Sequence, residues 1–431
     1  MAISYLVDEE HIPDDGTNNC LTDFIGQYKD AEILVFPDVH YKEGSRVVNG
    51  MLTCLGEKII PEMLGVANCG FLFGTFTDTT LTENALIENA KKWSAQLKDY
   101  SRTALVSKEK AITMLLEHFK ENLSAYASTR AILDLENDAH LEREIRSLLK
   151  NKYLLQGLLR GIGTLGGGNH FFELMKNEKS DFYFAIHSDS VLFGERVNNI
   201  CSNLNEIKHN NMFIRIIKSM RIRYNQSRLF LNELRSISDI RELYKLVFSV
   251  KGDRGIKCTS PIGRKMLLLY LIAHAVGSIN REQLLHAFTV INNDVKGPTI
   301  TAQIMSNKSH DQLEVLNSGS IIQRNGVQEV NDELFYLPGA LGTAAYIMRG
   351  LNNKKAYNSC NHGVGRLIPK SKVGKNQKDE TTMSVLRVGH SDLYVQKATY
   401  FKDVTKVISQ MEKYKTATAV SKLTPFLSIK G

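Results

Sequence analysis

The chain has 431 residues, 43% of them hydrophobic, and a mean hydropathy of -0.21, which is enough for a substantial core in one large domain or two to three ordinary ones. No uncharged apolar run reaches the roughly eighteen residues of a membrane-spanning helix, so no membrane partner is expected. The net charge of +8 and pI of about 9.0 weigh toward a polyanionic partner such as nucleic acid.

The N-terminus shows no basic region ahead of an apolar stretch, so no secretion signal is expected. Cys20, Cys54, Cys69, Cys201, Cys258 and Cys360 are scattered, without a Cys-x-x-Cys pair. They read as reduced thiols and predict a cytoplasmic location.

Ile33-Leu34-Val35-Phe36 predicts a short buried strand stopped by Pro37. Asp38, in the polar loop that follows, suits either an Asx-type turn or a carboxylate that orients a metal-ligating histidine. Phe71 to Phe76 is a second strand candidate. Residues 82–160 read as mostly helical. Leu86, Ala90, Trp93 and Leu97 share one helical face behind Thr82 as N-cap. The stretch from Gly163 to Glu173 holds four glycines followed at once by Asn169 and His170. Glycines strip away side chains where something must approach the backbone. Phe182 to Ile186 predicts a strand running into His187 and Ser188.

Residues 195–260 read as an insertion. Its basic cluster, Arg215, Lys218, Arg221, Arg223 and Arg228 with Tyr224 and Phe230 interleaved, suits a solvated helix face or a nucleic-acid contact. A strong helix is predicted over 263–290, and strands and turns from about 297 to 350. A last helix is predicted from Asp403 to Lys415, and a terminal strand from Pro425 to Ile429. No internal repeat is evident, and the chemical motifs run from residue 37 to the C-terminus. One catalytic domain over 1–431, with the insertion at about 195–260, is therefore expected.

Lone histidines such as His274 and His286 read as core or surface residues. Cys69, His170, His187, His310 and His362 differ, because each sits at a strand end or in a glycine-bounded loop. A thiolate with several imidazoles suits manganese, iron, cobalt or zinc rather than magnesium. A pair of such ions could clamp a phosphoryl group. His362, followed by Gly363, Gly365 and Arg366, has the makings of a nucleophile that attacks the α-phosphorus of a nucleotide. Arg366 could offset phosphate charge. The alternative for this loop is a turn whose histidine only hydrogen-bonds backbone.

These residues resemble the RtcB family of GTP-dependent RNA ligases. The segments that carry the resemblance are PDVHYKEG (37–44), GVANCG (65–70), GTLGGGNHFFEL (163–174), HSDS (187–190), Asn280-Arg281, SHD (309–311), LPGALGTAAY (337–346), NHGVGR (361–366), YFKDV (400–404) and IKG (429–431). The resemblance implies a mixed α/β (α+β) fold with central mixed β-sheets flanked by helices. It implies two manganese ions, with GTP as cosubstrate, and RNA with broken ends as partner. Some family members also need an activating protein. It implies that His362 is guanylylated, that GMP moves to an RNA 3′-phosphate, and that a 5′-hydroxyl then displaces it. Cys69, His170, His187 and His310 would be the metal ligands. Asn169, Glu173, Gly339, Gly363, Gly365, Arg366, Tyr400 and Lys430 would face the nucleotide.

The departures from the family pattern are specific. The metal loop is one residue shorter and has Ala67 and Asn68 where the family has an aspartate. His310 is followed by Asp311 rather than asparagine. After His187 the chain reads Ser188-Asp189-Ser190-Val191, where the family has Ser-Gly-Ser-Arg. Asp311 or Asn68 would then complete the metal shell, Asp311 replacing the lost carboxylate. Two other functions remain open on this reading: guanylylation of RNA 3′-phosphates without efficient joining, and non-enzymatic binding of broken RNA ends.

Overall fold

The computed structural model describes residues 2–63, 68–78, 80–100, 106–135, 137–209, 255–293, 300–373, 383–388 and 393–431. The basic cluster of residues 215–230 lies outside them. Among the described residues no helix is long and apolar enough to cross a membrane.

The N-terminal part is β1 (Ala2–Tyr5), α1 (Asp15–Gln27), β2 (Glu32–His40), β3 (Asn49–Cys54), β4 (Lys58–Ile59) and β5 (Gly70–Phe76). A helical run follows: α2 (Glu83–Tyr100), α3 (Lys108–Glu121), α4 (Ala127–Ile132), α5 (Asp138–Leu148) and α6 (Lys152–Gly161). Then come β6 (Phe171–Lys176), β7 (Phe182–Ser188), α7 (Val191–His209), β8 (Ile256–Lys257) and the long α8 (Pro261–Asn293). The rest is mainly strand: β9 (Ala302–Ser309), β10 (Asp311–Val315), β11 (Ile321–Asn325), β12 (Val327–Glu329), β13 (Leu334–Leu337), β14 (Ala345–Gly350), β15 (Ser359–Asn361) and β16 (Ser384–Arg387). The chain closes with α9 (Val404–Lys413) and β17 (Ala417–Lys430). The architecture is mixed α and β, with sheets flanked by helices.

Two sheets frame the molecule. One runs β1-β2-β3-β11-β10. The larger runs β13-β14-β17-β6-β7-β5-β9, with β16 beside β17. In the larger sheet, side-chain alternation divides core from site. Leu72, Phe172, Leu174, Phe184, Ile186, Leu427 and Ile429 point to one face, where they pack with Trp93 of α2 and Phe288 of α8. Phe71, Phe171 and His187 point to the other. Thr82 caps α2, its hydroxyl accepting from Ala85 N at 3.2 Å. Leu86, Ala90, Trp93 and Leu97 are all buried.

Trp93 has no exposed surface, and its ring lies 4.9 Å from Phe172 and 5.6 Å from Phe288, centroid to centroid. Trp93→Ala is expected to cost about 3–5 kcal/mol, read as a lowered urea midpoint.

Pro37 does not stop its strand, contrary to the sequence reading: β2 continues to His40. The ladder to β3 is instead interrupted between Val35 and His40, where a residue without an N–H can be accommodated. The extension carries Asp38, fully buried, into the site. The flanks of the 195–260 segment belong to the main core. Val197 and Ile200 of α7, with Ile256 and Cys258, pack in the same cluster as α3, α5, α6 and α8.

Candidate functional site

Four neighbouring strands bring the site together at one end of the larger sheet. Gly70 pairs with Ser188 of β7 on one side and with Ser309 of β9 on the other. Cys69 therefore enters between the ends of these strands, next to His187 and His310. Phe171, the first residue of β6, pairs with His187 and carries His170 to the same end. Backbone bonds fix the arrangement: His310 N donates to Cys69 O at 2.8 Å, and Val327 N to His310 O at 2.8 Å.

Cys69 Sγ lies 3.1 Å from His187 Nε2 and 3.4 Å from His170 Nε2, and the Nε2 atoms of His187 and His310 are 3.1 Å apart. The ligand atoms of Cys69, His187 and His310 all lie within 4.8 Å of one another. His187 Nδ1 meets the Asn169 carbonyl at 3.2 Å, which places its proton there and leaves the Nε2 lone pair facing inward. Burial first, then positive neighbours, holds His187 and His310 well below the ordinary imidazole range. Burial, reinforced by Asp189 and Asp311, pushes the Cys69 thiol well above its own. The thiol's single proton cannot satisfy all the imidazole lone pairs that converge on the buried sulfur. A cation between them does, and the N/S donor set fits a transition metal.

His362 follows β15, whose ladder with β12 sets it beside the cluster. Its Nδ1 makes an aligned hydrogen bond to the Gly326 carbonyl at 2.7 Å and lies 2.8 Å from Asp38 Oδ2. Its ring centroid is 4.1 Å from that of His310. The proton thus sits on Nδ1, and Nε2 keeps a lone pair. Burial would lower the His362 pKa, but Asp38, Asp311 and the Gly326 carbonyl together raise it. The sequence left Asp38 with a metal-ligating histidine or a turn; its carboxylate lies against His362 instead. Gly365 makes this approach possible. It holds φ +72°, and a Cβ there would come 2.3 Å from the Asp38 carbonyl oxygen. Lys402 Nζ donates to the carbonyls of Pro37 and Val39 at 2.7 and 2.9 Å, tying the bend in β2 from below.

The glycine-rich loop approaches its own histidine rather than only an outside group. Gly166 has φ +81°, and a Cβ there would lie 2.5 Å from His170 Nδ1. Gly167 and Gly168 face open space, and Asn169 is exposed. Asn280 of α8 pins the loop: its Oδ1 accepts from Gly163 N at 2.7 Å, and its Nδ2 donates to Thr164 O at 2.9 Å. Arg281 donates to Ser188 O at 2.9 Å and to Asn307 Oδ1 at 2.7 Å. Asn280 and Arg281 carried no assigned role in the sequence; their roles depend on which loops α8 crosses.

Glu173 and Lys430 lie on the site face, in register positions adjoining Phe171. Tyr336 Oη donates to Glu173 Oε2 at 2.8 Å, and Lys430 Nζ sits 4.8 Å above the Phe171 ring. Burial pushes Glu173 up to about 7 and Lys430 down to about 8. A Cβ on Gly363 would meet Cγ of Pro338, the residue before Gly339, at 3.8 Å, while one on Gly339 would meet Ala344 O. Tyr400 is buried with Val373 and Val395. Arg366 stacks 4.6 Å over Phe401 and donates to the carbonyls of Ile368 and Val395 at 3.0 and 2.9 Å, so those donors are engaged by backbone. The Asn68 carboxamide is taken up by backbone: its oxygen accepts from His274 N of α8 at 2.9 Å and its nitrogen donates to Asp311 O at 3.2 Å. Asp311 Oδ1 accepts from Gly326 N at 2.7 Å. Of the two histidines read as core or surface residues, His274 is half-buried with its Nδ1 2.7 Å from Tyr126 Oη, and His286 is exposed.

Sheet ends that converge a thiol and three imidazoles, beside a histidine with a fixed tautomer, define an α/β protein with a candidate metal site next to a candidate nucleophile. The chain belongs to the RtcB family: the family model described as tRNA-splicing ligase RtcB matches residues 27–431. Among curated proteins it is similar to RNA-splicing ligase RtcB1 of Escherichia coli ATCC 25922, 24% identical over 80% of this chain and 76% of the relative. RNA-splicing ligase RtcB of Escherichia coli K12 is 23% identical over the same shares. RNA-splicing ligase RtcB of Mycobacterium tuberculosis is 22% identical over 64% of this chain and 66% of the relative. The family and these names support an RNA-ligase function.

Proposed function

We propose that this protein joins RNA 3′-phosphate or 2′,3′-cyclic phosphate ends to 5′-hydroxyl ends, using GTP and manganese, with His362 as the guanylylated residue. The observation that carries the reading is His362 itself: Nδ1 held by Gly326 and Asp38, Nε2 left as nucleophile, and the ring 4.1 Å from His310. Manganese held by Cys69, His170, His187 and His310 would offset the charge that builds on phosphate oxygens. His362 Nε2 attacks the α-phosphorus of GTP; a P–N bond forms, the bond to the bridging oxygen breaks and diphosphate leaves. Throughout, the Nδ1 proton stays between Gly326 O and Asp38, which stabilise the positive ring. An RNA 3′-phosphate oxygen then takes the GMP and returns the lone pair to Nε2. A cyclic phosphate must first be opened by water. Last, the 5′-hydroxyl attacks the 3′-phosphorus, GMP leaves, and the hydroxyl proton passes to solvent. The buried Glu173 carboxyl and Lys430, on the same sheet face as His187, suit the polar edge of guanine, and the +8 charge suits RNA. An RNA bearing a 5′-hydroxyl and a cyclic phosphate should become joined only with GTP and manganese. Absence of any joined product would contradict the proposal.

Val191 favours a second, narrower reading, since the family has an arginine at its place. Guanylylation would then proceed without efficient joining, and the same assay would accumulate RNA ending in GMP.

The Asp38 contact predicts a pH effect. The reactive form of His362 is the neutral ring, and its pKa is raised above the ordinary value. Guanylylation should therefore rise with pH through that raised pKa and level off above it. Asp38→Asn removes the charge that favours the imidazolium. It should shift the rising limb to lower pH and slow the plateau rate by about 10–100-fold, by analogy with loss of other histidine-orienting carboxylates. Single-turnover labelling across about pH 5.5–9 reads both effects.

A further inference from the structure

The turn after β7 holds a carboxylate to which the family resemblance gives no role. Asp189 is 4% exposed. Its Oδ1 accepts from Val191 N at 2.5 Å, and its carbonyl accepts from Asn280 Nδ2 at 3.0 Å. Its Oδ2 lies 3.6 Å from His170 Nε2, the same nitrogen that faces Cys69 Sγ at 3.4 Å. Val191 holds φ +45°, a conformation costly for a β-branched residue, so the turn is held open against its own preference.

The other carboxylate near the cluster is placed differently. Asp311 Oδ2 lies 3.4 Å from His310 Nδ1, whereas His310 meets the cluster through Nε2. Asp311 thus lies behind its histidine, on the side away from the cluster. Asp189 touches the front of His170. Asn68, on the loop that lacks an aspartate, spends its carboxamide on backbone, accepting from His274 N at 2.9 Å and donating to Asp311 O at 3.2 Å.

On the reading that the cluster holds manganese, we propose that Asp189 is itself a metal ligand, acting with His170 and Cys69, and that the carboxylate missing from the 65–70 loop has moved to the end of β7. A carboxylate is a far better manganese ligand than an amide and supplies charge that neutral imidazoles do not.

The test is calorimetric titration of the nucleotide-free protein with Mn2+. Wild type should bind tightly. Asp189→Asn should lose at least about 10-fold in affinity for its tightest ion, and Asp311→Asn less than that. Asp189→Gly, the residue the family has there, serves if the asparagine variant does not fold; it should show the same loss. Circular dichroism reads folding independently. A folded Asp189→Asn or Asp189→Gly that binds Mn2+ as wild type does would overturn the Asp189 assignment and leave the metal centre standing. A wild type that binds no Mn2+ would overturn both.

Discussion

Replacing His362 by alanine is expected to lower joining of an RNA 3′-phosphate to a 5′-hydroxyl by at least about 10³-fold, the scale seen when a covalent nucleophile is removed. The same variant should still join an RNA whose 3′ end already carries GMP, because the histidine has no part in the last displacement. The contrast separates a nucleophile from a residue that only supports the loop. His362→Ala also removes the partner of Asp38, which is fully buried, so some stability is lost. That loss would depress both reactions together. Manganese binding at Cys69, His170, His187 and His310 should survive in the variant, which gives a second check that the site remains formed.

Cys69→Ala is expected to lower manganese affinity by about 100-fold or more, since the sulfur lies 3.1 Å from one imidazole nitrogen and 3.4 Å from another. The protonation states make the prediction sharper. Without a cation the thiol is protonated at neutral pH, its pKa lying well above the ordinary value, while His187 and His310 are already neutral. Binding must then release about one proton, from sulfur. Affinity should rise about tenfold per pH unit below the thiol pKa. Titrations in buffers of different ionisation enthalpy read the released proton. Cys69→Ala should release about one proton fewer.

The helical elements were legible because their signals are local. The 3.6-residue spacing of Leu86, Ala90, Trp93 and Leu97 and the Thr82 cap need no knowledge of what packs against them. The course of β2 was not legible past Pro37. Whether a proline ends a strand or sits at a break in the ladder depends on its partner, here β3. Cys69, His170, His187 and His310 could be nominated from strand ends and glycines, and the fold brings all four together. The reason is strand order: β5 lies between β7 and β9, so Cys69 meets His187 across 118 residues of sequence. No local pattern encodes that adjacency. The approach of Asp38 to His362 rests on Gly365 and on the β2 extension, and so was equally hidden. Asp189 was visible only as a departure from the family pattern. Its approach to His170 depends on a strained turn and on Asn280 from a helix distant in sequence.

The most direct measurement is incubation with GTP labelled at the α-phosphate, with and without manganese, followed by denaturing electrophoresis and mass mapping of the adduct. One GMP per chain on His362, formed only with manganese, is the predicted result. A protein that takes up no label, or a His362→Ala variant that remains labelled, would contradict the assignment of a metal-assisted histidine nucleophile.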